Sequence, residues 1–358
     1  MGSEQARGAH VFLVGTGVVG SAVLSIAQGK APPAGLALVG VANTRGLRLA
    51  EKGSTLSEAE ARAIVTAPPG EHPLSVDDAL LDRLATHDRP VLVDATAADG
   101  MEDLYVRALE RGIHVVTANK KPLAAPWARR QRLFDETSRT RGARFRYEAT
   151  VGAGLPVIET LKDLVRTGDG VRRIECVLSG TLGFVANELF AGTPLSRAVA
   201  IAKDRGYTEP DPREDLGGKD VARKVVVLAR ELGAALELSD VDLQPFVPDS
   251  VRELADLDAE LGARVTRLRA RGEKLVYLAR IDVETDAATG STKVRASAGP
   301  VAVGLDHPAA TLGGSSALVA FTTTRYDHDP LVVRGSGAGG AVTASALFAD
   351  VLKATGQA

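Results

Sequence analysis

Two short stretches carry residue types and spacings that could do chemistry. The first is GTGVVG. Gly15, Gly17 and Gly20 follow the apolar run HVFLV and precede SAVLSIAQ, which has helical spacing. In a strand–loop–helix unit the first glycine permits a tight turn, the second lets a pyrophosphate approach, and the third lets helix and strand pack closely. The free N–H groups of the helix start, around Thr16, Val18 and Val19, would face the phosphates. The plain alternative is a tight strand-to-helix turn with no ligand. The second stretch is YTEPDPREDLGGKDVARK, residues 207–224. Nine of its eighteen residues are charged: Glu209, Asp211, Arg213, Glu214, Asp215, Lys219, Asp220, Arg223 and Lys224. Charge usually thins where a chain turns inward, yet VARKVVVLAREL follows directly and reads as a helix entering a core. The segment is either a solvated loop capping that helix or a site that handles a polar substrate.

The elements that must position these residues fall into two patterns. Up to about residue 150, strand and helix alternate. Strands are expected at 10–14, 36–43, 90–96, 113–120 and 143–150. Helices are expected after the glycine loop, at 56–64, 77–85 and 101–112, and from Trp127 onward. APPAG, residues 31–35, is expected to end the first helix. This alternation predicts a Rossmann-type α/β domain on a parallel sheet over residues 1–150. Beyond it, VRRIECVLSG, KLVYLARIDVE, STKVRASAG and LVAFTTTRY read as strands. Helices are expected at about 155–166, 183–191, 195–204, 218–233 and 249–270. That pattern predicts an α+β domain over 151–320 on a mixed or antiparallel sheet. Residues 321–358, with GSGAGG and a last helix, are expected to return to the first domain.

The second strand ends in VANTRG. NAD-preferring sites usually place an acid there to hold the ribose hydroxyls. Asn43, Thr44 and Arg45 stand there instead, and an arginine can face a 2′-phosphate, so the stretch favours NADP over NAD. The alternative reading of Arg45 is a solvated loop residue.

Composition narrows the field. The 358 residues are 45% hydrophobic and 25% charged, with a formal net charge of −2. Two domains are the natural expectation. Such a balance offers no global field for nucleic acid or an anionic membrane. Cys176 is the single cysteine, which excludes a disulfide framework and a cysteine-rich zinc site. It lies in the apolar run IECVL and reads as core packing. His114, in IHVV, is expected on a sheet surface. No apolar run reaches the ~18 residues of a membrane span, and MGSEQARGAH lacks the apolar stretch of a signal peptide. A cytoplasmic protein is expected.

Together, GTGVVG at 15, VDATA at 93, TANKKPL at 117, YEATVGAGLPVIETL at 147, SGTLGFVANEL at 179, GYTEPDPREDLGGKDVARK at 206 and GSGAGGAVTA at 335 resemble homoserine dehydrogenase. They stand in that family's order and cover most of the chain. The block at 206 is the most specific. The resemblance implies interconversion of L-aspartate 4-semialdehyde and L-homoserine with NAD(P)H, a Rossmann domain, and an α+β substrate and dimerisation domain. A homodimer is expected, with a tetramer as the alternative.

The resemblance also assigns roles. Lys224 and Lys120 match lysines near the reacting oxygen. Asp220, Asp215 and Glu209 match acids around the substrate, and Gly180 and Thr181 line the site. Thr96, Ala97, Lys120, Gly337 and Gly339 belong beside the cofactor. The turn EATVGAGLP matches one that binds a monovalent cation such as Na⁺ through backbone carbonyls, here of Glu148, Val151, Ala153 and Leu155.

Elementary chemistry agrees with these roles. Reducing an aldehyde makes an alkoxide, and a positioned ammonium can stabilise that charge and deliver a proton. Asp220 and Lys224 stand four residues apart on one helix face. Glu209 and Asp215 suit the α-ammonium of the amino acid. Sequence leaves open whether Lys224 or Lys120 donates the proton; Lys224 is favoured. Lys121 competes with Lys120, and on an extended segment only one of the two would enter the site. Each acid also has a plain reading: Asp220–Lys224 as a surface helix pair, Glu209 as a turn acid, Asp215 as a helix cap.

The chain stops soon after GSGAGGAVTA and no kinase segment precedes the first domain, so neither a regulatory ACT-type domain nor a kinase part is expected. GGSS at 313–316 differs from the asparagine-containing stretch of the family. The alternatives are a reductase of another amino-acid semialdehyde or ketone, and an inactive NADP-binding protein.

Overall fold

The computed structural model describes residues 8–27, 35–66, 76–140, 142–285 and 292–357, which form two compact units. The expectations for the extreme N-terminus and for APPAG fall largely on residues outside this set.

The first unit comprises Met1–Gly154 and Gly339–Ala358. Its strands are β1 (Ala9–Val14), β2 (Leu36–Asn43), β3 (Gly46–Leu49), β4 (Pro90–Asp94), β5 (His114–Thr117) and β6 (Phe145–Arg146). They are ordered β3-β2-β1-β4-β5-β6. Every pairing is parallel except β2 with β3. The apolar, β-branched runs of β1 and β4 are buried almost throughout, as central parallel strands require. Helices α1 (Val18–Ala27), α2 (Glu58–Thr66), α3 (Asp78–Ala85), α4 (Glu102–Glu110), α5 (Lys121–Ala124) and α6 (Trp127–Arg139) lie between the strands. The order reverses between β1 and β4, so the ligand crevice of such a sheet opens beyond Val14 and Asp94.

Sequence reading misses three features of this unit. VANTRG ends in a hairpin: Asn43 pairs with Gly46, and its Oδ1 accepts the N–H groups of Arg45 (2.7 Å) and Gly46 (3.2 Å). This side chain imitates a backbone turn. The expected strand at 143–150 shrinks to two residues and gives way to a 3₁₀ turn over Glu148–Thr150. The strand expected at 113–120 ends at Thr117, and Lys120 caps α5.

The second unit, Leu155–Ala338, holds α7 (Ile158–Arg166), β7 (Val171–Val177), α8 (Gly180–Ala191), α9 (Leu195–Asp204), α10 (Pro212–Leu216), α11 (Lys219–Glu231), β8 (Asp242–Leu243), α12 (Asp258–Ala270), β9 (Glu273–Thr285), β10 (Thr292–Gly304), β11 (Ser316–Thr323) and β12 (Leu331–Ser336). The sheet order is β12-β11-β7-β9-β10-β8, antiparallel except for β10 with β8. Residues Lys274–Ala279 of β9 are buried in succession, so both faces of the sheet are covered there. The expected third segment at 321–358 is corrected. Residues up to Ala338, with β12, complete this sheet, and only the last helix, α13 (Gly340–Thr355), belongs to the first unit.

Candidate active site

The glycine loop is built as its spacing requires. Gly15 adopts φ 94°, a left-handed angle that favours glycine, and a Cβ there would lie 2.7 Å from Thr96 Cγ2. A Cβ on Gly20 would lie 1.9 Å from the Gly15 carbonyl oxygen, so α1 meets the turn only because no side chain intervenes. Around Gly17 nothing stands within 4 Å of that position. The three glycines therefore serve the turn, the open approach and the close packing in that order, and this cradle fits a dinucleotide pyrophosphate at the N-terminus of α1.

Asn43 braces the loop from β2 by donating to Thr16 Oγ1 at 2.7 Å and to the Ile64 carbonyl at 3.1 Å. Arg45 sits in the exposed hairpin loop. Its guanidinium donates to the Val65 carbonyl at 2.5 Å, so one of its donors closes the last turn of α2. Val18, the first residue of α1, is 78% exposed at the mouth of the loop. α13 packs on this same helix: a Cβ on Gly340 would lie 2.8 Å from the Val18 carbonyl. Gly339 caps α13 at φ 123°. Gly337 has a packing reason of its own in the second unit, where a Cβ would lie 2.2 Å from Ala317 Cβ.

Beyond β4 lies a buried polar group that sequence reading passes over. Asp94 has no exposure and ends an otherwise apolar strand. Its Oδ1 accepts the Thr96 N–H at 2.7 Å, and its Oδ2 accepts the Tyr105 hydroxyl and, at 3.3 Å, Asn119 Nδ2. Burial raises its pKa, and the donated hydrogen bonds oppose that shift. An acid closing VLVD was the available signal. Asn119 also donates to the Ala98 carbonyl at 2.8 Å. Lys121 pairs with Asp99 at 2.8 Å. The extended geometry expected to separate Lys120 from Lys121 is absent, because Lys120 has a helical backbone as the cap of α5. Ala97 lies in the same exposed loop as Thr96.

In the second unit the charged segment divides by role. Lys224 Nζ donates to the Leu178 carbonyl at 2.7 Å and to Asp220 Oδ2 at 2.8 Å, and its side chain is only 14% exposed. An ammonium has three donors, so one N–H is left over. Leu178 immediately precedes the α8 cap, where Ser179 Oγ accepts the Leu182 N–H at 3.1 Å. Gly180 follows, with room for a Cβ only 3.2 Å from Ser315 Cβ. The unusual GGSS stretch thus packs against the start of α8.

Asp215 faces the same helix start. Its Oδ2 accepts the Glu209 N–H at 2.8 Å, and its Oδ1 lies 3.3 Å from Thr181 Oγ1. Thr181 has one hydroxyl hydrogen and gives its shorter bond to the Tyr207 carbonyl. Asp215 Oδ1 therefore has capacity for another donor. Partial burial raises the Asp215 pKa. Glu209 is exposed, and its backbone, not its carboxylate, is what Asp215 holds.

Gly218 sets the angle of α11. It adopts φ 72°, and a Cβ would lie 1.9 Å from the Tyr277 hydroxyl. Asp211 caps α10, and Arg213 donates to the Val251 carbonyl at 2.8 Å and to that of Arg252. These two charges are structural.

The turn expected to bind a cation spans Glu148 to Leu155. The buried Glu148 donates its N–H to Asp350 of α13 at 2.8 Å. Gly152 and Ala153 adopt φ 83° and 58° in succession. Such a backbone at a non-glycine costs on the order of 1–3 kcal/mol and clusters at ligand clamps. Val151 is fully buried. The Leu155 carbonyl accepts the Val157 N–H at 2.9 Å and keeps a second lone pair. Among the described residues no cluster of three or more His, Cys, Asp and Glu side chains could hold a metal. Cys176 is fully buried with its pKa pushed up to about 12, so it is no thiolate nucleophile. His114 accepts the Arg144 N–H at Nδ1. Among the described residues no helix is long and apolar enough to cross a membrane.

The fold and the glycine cradle define a two-unit chain whose first unit is a dinucleotide-binding domain. Residues 15–148 match the family model "Homoserine dehydrogenase, NAD binding domain", and residues 156–352 match "Homoserine dehydrogenase". The chain belongs to the homoserine dehydrogenase family. A homoserine dehydrogenase of Schizosaccharomyces pombe is 35% identical, over 97% of this chain and 96% of its own length. A bifunctional aspartokinase/homoserine dehydrogenase 1 of Zea mays is 38% identical over 96% of this chain. The chain spans 38% of the length of that maize relative. A solved hyperthermophilic archaeal homoserine dehydrogenase mutant in complex with NADPH is similar at 25% identity and TM-score 0.72, covering 98% of each chain.

Proposed function

We propose that this chain interconverts L-aspartate 4-semialdehyde and L-homoserine with NAD(P)H, within threonine, methionine and isoleucine synthesis. The observation that carries the reading is Lys224. Its ammonium is held by one carbonyl and one carboxylate, and one N–H is left to meet a substrate oxygen.

The bound nicotinamide supplies the hydride. Lys224 meets the carbonyl oxygen, stabilises the negative charge that develops there, and delivers the proton. Asp220 fixes the aim of the lysine. Asp215 accepts from the substrate ammonium, and Glu209 adds negative charge to that side. Gly180 and Thr181 shape the floor at the start of α8. Thr96, Ala97 and Lys120 contact the nicotinamide side of the cofactor, while Gly15 to Gly20, Asn43 and Arg45 hold its phosphates and adenosine ribose. Gly337 and Gly339 complete the cofactor loop. NADP is preferred, through Arg45, and Arg45→Ala should weaken NADPH more than NADH.

The turn of Glu148, Val151, Ala153 and Leu155 holds Na⁺ or another monovalent cation; the left-handed angle at Ala153 supports this reading. Activity should then fall when choline replaces alkali cations. The protein acts as a homodimer in the cytoplasm, and light scattering should give twice the chain mass. The test of the reaction is a panel of amino-acid semialdehydes and ketones with each reduced nicotinamide. Turnover confined to a substrate other than aspartate semialdehyde would overturn it.

A further inference from the structure

The buried group beneath the β4 end does more than fill space. A carboxylate without exposure is costly unless donors surround it, and the rest of β4 is apolar. An aliphatic residue at this position would leave three donors without their acceptor, so Asp94 and its donors stand or fall as one network. Three chain segments converge on it. Tyr105, on α4 and fully buried, donates its hydroxyl to Oδ2, and the tyrosine oxygen itself lies 2.9 Å from Thr117 Oγ1. Thr96 donates its N–H from the loop after β4. Asn119 donates its side-chain amide, spans to the Ala98 carbonyl, and accepts the Lys121 N–H at Oδ1, 3.1 Å away. Thr117 Oγ1 in turn accepts the Asn119 N–H at 2.8 Å. One hydroxyl in the interior is thus bonded, through one carboxylate, to both loops that carry Thr96 and Lys120.

We propose that Tyr105 is a positioning residue that acts through Asp94 to hold the Ala95–Ala98 loop and the Asn119–Lys120 cap in register for the nicotinamide half of the cofactor. This inference rests on the cofactor role given above to Thr96 and Lys120.

The test is Tyr105→Phe in the full chain. NADPH affinity is read from its fluorescence on titration, beside kcat, the KM of each substrate and Tm. The change removes one oxygen and opens no large cavity. We expect NADPH to bind roughly ten-fold more weakly or worse, the loss expected when one buried hydrogen bond is left unmade. kcat should fall with it, and the aspartate semialdehyde KM should stay unchanged. Asp94→Asn should move the same quantities, and the double variant should lose less than the sum of the two. Should Tyr105→Phe fail to fold, Asp94→Asn alone decides. A lower Tm with unaltered NADPH affinity and kcat would overturn the proposal and leave the network a plain stabiliser. Wild-type chain that binds NADPH but turns over no aspartate semialdehyde would sink the reaction, and the titration would still decide the role of Tyr105.

Discussion

Lys224 Nζ lies 2.8 Å from Asp220 Oδ2, one helical turn back along α11. Asp220 is 45% exposed and Lys224 only 14%. The acid stands at the solvent edge and the lysine reaches inward to the Leu178 carbonyl. On an ordinary helix surface such a pair contributes roughly 0.2–0.5 kcal/mol. Here the acid fixes the aim of an ammonium that also donates to the Leu178 carbonyl and has a third N–H.

Lys224→Ala should therefore cost about 10²–10⁴ in kcat, the range expected for a positioned proton donor. Asp220→Asn keeps the shape and one acceptor oxygen, so its loss should be smaller. Steady-state rates for the two variants check this. Equal losses would mean that Asp220 contributes more than orientation.

Gly17 and Gly20 should separate binding from folding. A methyl group at Gly17 meets open space, so Gly17→Ala should leave Tm nearly unchanged while weakening cofactor binding. At Gly20 the methyl would strike the Gly15 carbonyl, so Gly20→Ala should destabilise the fold by ~1–3 kcal/mol, as at overpacked sites, and lower Tm. Thermal melts with and without NADPH distinguish the two. A large Tm loss for Gly17→Ala would contradict the open approach.

Asp215 should trade stability for function. Its folded pKa is raised, chiefly by desolvation. Between the ordinary carboxyl value and the folded one, the folded state binds more protons than the unfolded state. Stability therefore falls as pH rises through that window and stays lower above it. Asp215→Asn removes this term. The variant should be at least as stable as wild type at neutral pH and lose that advantage below the ordinary carboxyl pKa. Its KM for aspartate semialdehyde should rise. Melts across acid to neutral pH check the sign; an advantage confined to acid pH would refute it.

The two-unit architecture was legible because period and order are local properties of sequence. Apolar runs between glycine turns mark β1, β2 and β4, and the family's segments lie in order along the chain. The hairpin to β3 was hidden because its signal is one Asn side chain folding onto its own backbone. The short strand β6 was overestimated because FRYEAT has strand propensity, yet Asp350, some two hundred residues later, takes the Glu148 N–H and fixes a 3₁₀ turn instead. Long-range partners of this kind leave no periodic trace.

At the candidate site the residue types were legible and their division of labour was not. Asp211 and Arg213 look as reactive as Asp215 in a string of charges. Only the carbonyls of Val251 and Arg252 reveal that Arg213 is a brace. Tyr105 sits inside an ordinary amphipathic pattern, and its importance depends on an Asp eleven residues earlier.

The most direct measurement is the loss of reduced-nicotinamide absorbance when purified chain, NADPH and aspartate semialdehyde are mixed, beside Lys224→Ala under the same conditions. Rapid oxidation by the wild type with homoserine as product is expected, and a rate lower by at least about a hundred-fold for the variant. An unchanged rate in Lys224→Ala, or NADPH binding without oxidation in the wild type, would contradict it.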